Sequence, residues 1–210
     1  ITGYVVELAL SMDNVFVIAL IFSYFGVPRH LQHRVLFWGI LGAMVMRGVM
    51  IGVGVELVHR FHWVLYILGG FLVFSGIKMI TGSDQEVEPE KNPCIRLARK
   101  FFPVVDHFEG QRFVIRESGR LFLTPLALVL VMVETTDLIF AVDSIPAIFG
   151  VTQKPFVIFT SNVFAILGLR SLYFLLAGAM ASFSYLKYGL SLVLVFIGIK
   201  MLVSFKYHID

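Results

Sequence analysis

With 210 residues, 58% of them hydrophobic, 15% charged and a mean hydropathy of +0.88, the chain is far too apolar for a soluble domain with a wetted surface. Its net charge is +3, and most of its Lys and Arg residues lie in the connections between apolar runs rather than on one soluble face, which leaves no basic face for a nucleic acid. A single cysteine, Cys94, excludes a disulfide framework or a cysteine zinc motif built from this sequence.

The first apolar run, Tyr4 to Phe25, has the length of ~20 residues that a spanning helix needs, and it carries Glu7, Asp13 and Asn14 within ELALSMDN. The chain enters it almost at once, with no initiator Met or signal peptide, so we expect the natural protein to be longer at both ends. A short FGVPRH connection leads to the second run, Val35 to Leu57, with Arg47 near its middle and Gly39 and Gly42 suited to close helix packing. Glu56 stands at its end, where it reaches water. The third run, Trp63 to Ile80, closes on LVFSGIKM.

From Thr81 to Arg120 the chain is polar, acidic first (DQEVEPEK) and then basic (CIRLARK), and its last part, RFVIRESGRLF, reads as a short hairpin. The segment as a whole reads as a solvated connector. The fourth run, Leu121 to Phe149, contains ETTDLIFAVDSIPAIF, with Glu134, Asp137, Asp143 and Ser144. The fifth, Phe156 to Phe183, holds Arg170 and Gly168, and the sixth, Leu186 to Phe205, ends near LVFIGIKM. This is the pattern of an all-α polytopic membrane protein with six transmembrane helices.

Charge asymmetry orients it. One set of connections holds Arg29, Arg34, the Lys and Arg residues between Thr81 and Arg120, and Lys187, against Arg60, Lys154 and Lys206 on the other side. The first set is cytoplasmic by the positive-inside tendency, which places the long loop inside and the N-terminus outside.

The octapeptides Leu72–Met79 and Leu194–Met201 are identical at seven of eight positions. Sliding along this register, Tyr66 matches Tyr188 at the same offset, Arg47 matches Arg170 after a shift of one residue, and ELALSMDN matches DLIFAVDS after a shift of eight, so that Glu7 aligns with Asp137, Asp13 with Asp143 and Asn14 with Ser144. The repeat unit is three helices, residues 1–80 and 121–206, separated by the 81–120 loop. An odd number of crossings makes the second copy enter from the opposite side, so the repeats are inverted, as in many secondary transporters.

Glu7, Asp13, Glu134, Asp137 and Asp143 are thus five carboxylates at membrane depth, with Arg47 and Arg170 to balance part of their charge. Each charge at the bilayer centre costs about 2.5–3.5 kcal/mol even on lenient scales, so they face one another rather than lipid. Glu7, Ser11 and Asn14 share a helical stripe, as do Glu134, Asp137, Ala141 and Ser144. Asp13 and Asp143 lie roughly 120° off those stripes on a regular helix. Pro146 removes a backbone hydrogen bond just beyond Asp143, which predicts unwound backbone there and, by symmetry, near Asp13.

Oxygen ligands without His or Cys favour hard or borderline divalent cations, Mn2+, Ca2+ or Mg2+. Burial and like-charge crowding favour the neutral acids when no cation is bound, which couples metal release to proton uptake. The plainer alternative is that acids and arginines only lock helices together, which leaves the excess of acid unexplained. Lys78 and Lys200 end their runs where snorkelling to the interface suffices. The pairs His30 with His33 and His59 with His62 have metal-site spacing but lie at span ends, as solvated interfacial histidines do.

LSMDNVFV, ETTDLIFAVDSIPAIF, FGVP, RVLFWGILGA and TSNVFAILGLRSLYFLLAG together resemble the TerC family of integral membrane proteins, and within it the Alx-type manganese exporters. The likeness covers essentially the whole sequence, although ETTD stands where relatives often carry a more apolar or Ser-containing version. It implies a bacterial inner-membrane carrier that exports Mn2+, with Glu7, Asp13, Glu134, Asp137 and Asp143 as the family's acidic positions and with extra helices flanking this core. Mn2+ is ranked above Ca2+ by the resemblance alone.

No resident cofactor is implied, and the expected partners are the transported cation, protons and the bilayer, with the oligomeric state open. The absence of HExxH, a nucleophile motif or a cofactor loop argues against an enzyme. The alternative from another class is a membrane accessory subunit that assists metal loading or insertion of other proteins.

Overall fold

A computed structural model of the chain describes residues 2–81, 92–117, 119–176 and 186–207, with the side chains at positions 2, 13, 170, 176, 186, 187, 190 and 204–207 outside the description. In chain order the elements are α1 (Thr2–Tyr24), α2 (Arg29–Arg60), α3 (Val64–Thr81), α4 (Pro93–Phe101), β1 (Val114–Glu117), β2 (Arg120–Leu123), α5 (Pro125–Phe149), α6 (Pro155–Leu176) and α7 (Leu186–Tyr207). Each apolar run has become a helix, since a chain in lipid must satisfy its backbone hydrogen bonds internally. Prolines set several starts: Pro125 and Pro155 open α5 and α6, where a missing N–H costs nothing. The α1–α2 turn is made at Gly26, whose φ of 60° is the left-handed conformation that other residues resist.

Among the described residues, α1, α2, α3, α5 and α6 are long and apolar enough to cross a membrane, and α7 carries a shorter apolar stretch, Ser191–Val203. Burial is reversed relative to a water-soluble protein. On α2 the residues Phe37, Leu41, Val45, Val49 and Val53, one turn apart, are exposed, whereas Gly39, Ala43, Arg47 and Ile51 on another face are buried. Apolar side chains face out and the charge faces in, as lipid demands.

Five helix pairs build the bundle: α1 with α5, α1 with α6, α2 with α5, α2 with α6, and α3 with α7. Their directions follow from the contacts. On α1 and α5, Asn14 meets Asp137 while Gly3 approaches Ile148, so the two run antiparallel. On α3 and α7, Gly76 approaches Ser191 and Val195 while Gly69 approaches Met201 and Leu202, again antiparallel. On α2 and α6, Gln32 accepts from Tyr173 while Arg47 reaches Asn162, also antiparallel. By contrast α2 runs parallel to α5, with Gly42 at Glu134 and Gly54 at Phe149. A parallel pair also joins α1 and α6, through Gly3 at Ser161 and Phe22 at Tyr173.

Two expectations need correcting. α5 is a continuous helix through Pro146, and α1 is continuous through Asp13, so no backbone is unwound at either acid. Pro146 sits in the last turn of α5, where losing one N–H donor breaks little of the ladder. The hairpin expected within RFVIRESGRLF is present, with Val114–Glu117 and Arg120–Leu123 paired antiparallel, so the mostly helical chain is not purely α.

The described part of the connector is folded onto the bundle rather than merely solvated. Ile95 of α4 is buried in the core formed by α1, α2 and α5, and Val104, Phe108 and Phe113 pack against the same cluster. Arg34 at the start of α2 donates to Gln111 at 3.0 Å and lies 5.4 Å over the Phe113 ring. The α1–α2 end of the bundle and this connector therefore share one side.

Candidate ion-binding site

Arg47 is the centre of the polar interior. Its place on the buried face of α2 directs the guanidinium between α1, α5 and α6, where its side chain is 3% exposed. Nη1 donates to Glu7 Oε1 at 2.5 Å and to Asn162 Oδ1 at 3.0 Å. Nε and Nη2 form a fork on Asp137, at 3.2 Å to Oδ2 and 2.9 Å to Oδ1. Asn14 Nδ2 adds a further donor to Asp137 Oδ1 at 2.7 Å. A planar fork suits a carboxylate, and desolvated charges of this kind are tolerable only when nearly every donor is met.

The other edge of the cluster is not satisfied. Glu7 Oε2, Ser11 Oγ and Ser144 Oγ are buried and lack a hydrogen-bond partner. Ser144 lies beside the Glu7 carboxylate, but its hydroxyl does not reach an acceptable hydrogen-bond geometry. These atoms border a cavity of about 10 Å³, lined by Glu7, Ser11, Arg47, Asp143 and Ser144 with an apolar wall of Leu10, Met79, Phe140 and Leu194. That volume holds about one water-sized sphere. Native proteins rarely leave buried oxygens idle, and the arrangement presents carboxylate and hydroxyl donors to one small space.

Asp143 reaches the cavity without any unwinding. It is half-buried, its Oδ1 accepts from Ser75 Oγ of α3 at 2.8 Å, and Lys78 of the same helix is near enough to act on it electrostatically. A neighbouring helix comes to the acid, so the acid need not turn towards its own stripe. Glu134 takes a different position. It is pressed into a notch of α2, where a methyl group on Gly42 would overlap its carboxylate, and its Oε2 is buried without a partner. It does not line the cavity.

Glu7, Asn14, Arg47 and Asp137 are therefore brought into one cluster, Asp143 and Ser144 border its open edge, and Glu134 stands apart against α2. The Asp13 and Arg170 side chains lie outside the described residues. Sequence reasoning missed Asn162 and Ser75 as partners. The signal for Ser75 was present, since it is the one mismatch, against Ile197, in the repeated octapeptide. Among the described residues no three His, Cys, Asp or Glu side chains are gathered as a ready-made metal cage. His33 stacks on Phe174 with ring centroids 4.2 Å apart, and His59 and His62 line a separate small cavity with Gln153.

Residues 1–209 match the Integral membrane protein TerC family. The chain is 54% identical over 201 residues to an uncharacterized membrane protein of Myxococcus xanthus, covering 96% of this chain and 63% of the relative. It is 53% identical over 209 residues to the "Putative membrane-bound redox modulator Alx" of Escherichia coli (strain K12), covering 100% of this chain and 65% of that protein. An uncharacterized membrane protein of Rickettsia bellii is 44% identical over 202 residues. The chain thus spans just under two thirds of the length of the first two of these relatives. No solved structure matches it.

Proposed function

The chain belongs to the TerC family of integral membrane proteins, and from that premise we propose that it is the core of a secondary transporter exporting a divalent cation, Mn2+ before Ca2+, across the bacterial inner membrane in exchange for protons. The observation that carries this reading is the set of unpartnered buried oxygens, Glu7 Oε2, Ser11 Oγ and Ser144 Oγ, that share one small cavity with Asp143. An arrangement whose only task was to lock helices would leave none of them idle. Glu7, Glu134, Asp137 and Asp143, set against Arg47 and, beside Asp143, Lys78, keep an excess of negative charge that a divalent cation or protons would neutralise. The donors are hard oxygens, which suit Mn2+ or Ca2+ better than copper.

The helix pairing supports an inverted repeat of α1–α3 and α5–α7. Exchanging the halves turns the α1–α6 pair into the α5–α2 pair, both parallel, and returns the α1–α5, α2–α6 and α3–α7 pairs to themselves, all antiparallel. Rocking one half on the other would then open the site to either side. The relatives' name speaks of redox modulation, but this chain has one cysteine and cannot form a dithiol within itself. A metal exporter can alter redox state indirectly through the metal it removes.

Reconstitution of the full-length protein in liposomes tests the reading. Mn2+ flux by the purified protein alone is expected; its absence, with the protein correctly inserted, leaves the accessory role.

A further inference from the structure

α4 carries more apolar surface than the protein covers. At 100° per residue, Ala98 lies about 60° and Arg99, Arg96 and Lys100 about 40°, 100° and 140° from Ile95, with the basic residues on the opposite side from Ala98; Leu97 and Phe101 fall about 200° and 240° round. Ile95 is buried in the bundle core and Ala98 packs against it. Leu97 and Phe101 are 56% and 68% exposed, with Cys94 exposed beside them. The helix thus has three arcs: one against the protein, one apolar and bare, one basic.

The position of the helix says what covers the bare arc. Asn92, whose side chain caps α4 by accepting from the Cys94 and Ile95 N–H groups, also donates to Met132 Sδ. Met132 is seven residues into the spanning helix α5, or roughly 10 Å along it. A helix held at the level of the first turns of a span, with exposed Leu and Phe on one arc and Arg and Lys on the next, lies at the depth where interfacial helices bury an apolar face below the headgroups.

We propose that α4 is an interfacial anchor: Leu97 and Phe101 insert among the acyl chains of the surrounding bilayer, while Arg99 and Lys100 pair with the phosphates of its anionic lipids. Long basic side chains reach the headgroup layer while their stems stay on apolar surface. Anionic leaflets attract such residues at about 1 kcal/mol each near the surface. The anchor fixes the connector over the α1–α2 end of the bundle, because Phe113 and Gln111 of that connector hold Arg34. None of this depends on the transported ion.

The test places a nitroxide at Cys94, as the single labelled cysteine of the full-length protein, in vesicles of phosphatidylcholine with or without phosphatidylglycerol. With phosphatidylglycerol the label should collide with oxygen several-fold more than with a water-soluble nickel chelate. Leu97→Asp with Phe101→Asp should reverse that preference, and the exposed double change Arg99→Gln, Lys100→Gln should reduce it. A label reached equally by the chelate in both lipids makes α4 a solvated helix and overturns the proposal. A label shielded from both reagents means that protein, such as a second copy of the chain, covers the face, which also overturns it. Equal insertion in phosphatidylcholine alone and in the double variant removes the anionic lipids from it and overturns that half of the proposal.

Discussion

Asn14 on α1 donates its amide to Asp137 on α5 at 2.7 Å. The residues that align with this pair are Ser144 and Glu7, and they too lie side by side between the same two helices, with the hydroxyl unbonded and facing the cavity. One of the two matched pairs is hydrogen-bonded, with only Asn14 Oδ1 left without a partner, and the other is not. On the transport reading proposed above, a cation would be taken on the Glu7–Ser144–Asp143 side, where the idle oxygens face the cavity.

Asp143→Asn should therefore abolish transport while leaving the protein inserted. The amide keeps the shape and removes an anionic ligand from the cavity edge, and a divalent ion requires several such ligands. A loss of at least about tenfold in Mn2+ uptake by vesicles is expected, equivalent to ~1.4 kcal/mol of binding. Its repeat counterpart Asp13→Asn is expected to act in the same direction. Near-normal flux in both variants would reduce these acids to structural partners.

Ser75→Ala should give a milder effect. It deletes the hydroxyl that donates to Asp143 Oδ1, and a hydrogen bond of this kind contributes about 1 kcal/mol, or roughly fivefold in affinity. Mn2+ titration of the purified variant, read by the electron paramagnetic resonance of the free ion, measures it. An unchanged affinity would mean that Asp143 needs no help from α3.

The acids and Arg47 were legible because a charge inside an apolar run has no innocent explanation in lipid. Asn162 was not, because an amide in a helix is common and its role depends on which helix faces it. The unwinding expected at Pro146 is absent for a geometric reason: α3 supplies the wall that meets Asp143, through Ser75, so α5 need not turn the acid towards its own stripe. α4 is hard to read in the sequence because its nine residues lie in a strongly charged connector. The alternation that makes Ile95 a core residue and Leu97 an exposed one shows only when angles are counted.

Arg47→Ala should fail at folding before it fails at transport. It strands Glu7 and Asp137 without their shared cation, and breaking a buried pair in this way costs on the order of 3–5 kcal/mol. A large fall in detergent thermal stability and in membrane yield is expected. Adding Glu7→Gln and Asp137→Asn to the arginine variant should restore part of the stability without restoring flux. Fluorescence-detected size-exclusion after a heat step reads both.

Gly76 and Gly198 make the α3–α7 contact. A Cβ on Gly76 would stand 2.9 Å from Ser191 O, and one on Gly198 would stand 2.8 Å from Gly69 O. Backbone cannot yield as a side-chain tip does, so Gly76→Ala and Gly198→Ala should each cost about 1–3 kcal/mol by overpacking. Gly70→Ala is the control, because nothing lies within 4 Å of its Cβ position. Equal melting temperatures for all three would show that the two helices separate freely.

The coupling ion is tested last. Carboxylates that release a divalent cation inside a low-dielectric bilayer must be neutralised by something else, and protons are the smallest available substitute. If Glu7 and Asp143 lose protons to take Mn2+ on the cytoplasmic side and regain them when it leaves outside, a gradient acidic outside should drive export without ATP. Vesicles oriented with the connector inward, loaded with Mn2+ and a pH dye, should show efflux and internal acidification together. Reversing the gradient should slow the efflux, and Asp143→Asn should remove both signals at once. Efflux without acidification, indifferent to the imposed gradient, would exclude exchange and leave a uniporter or a channel.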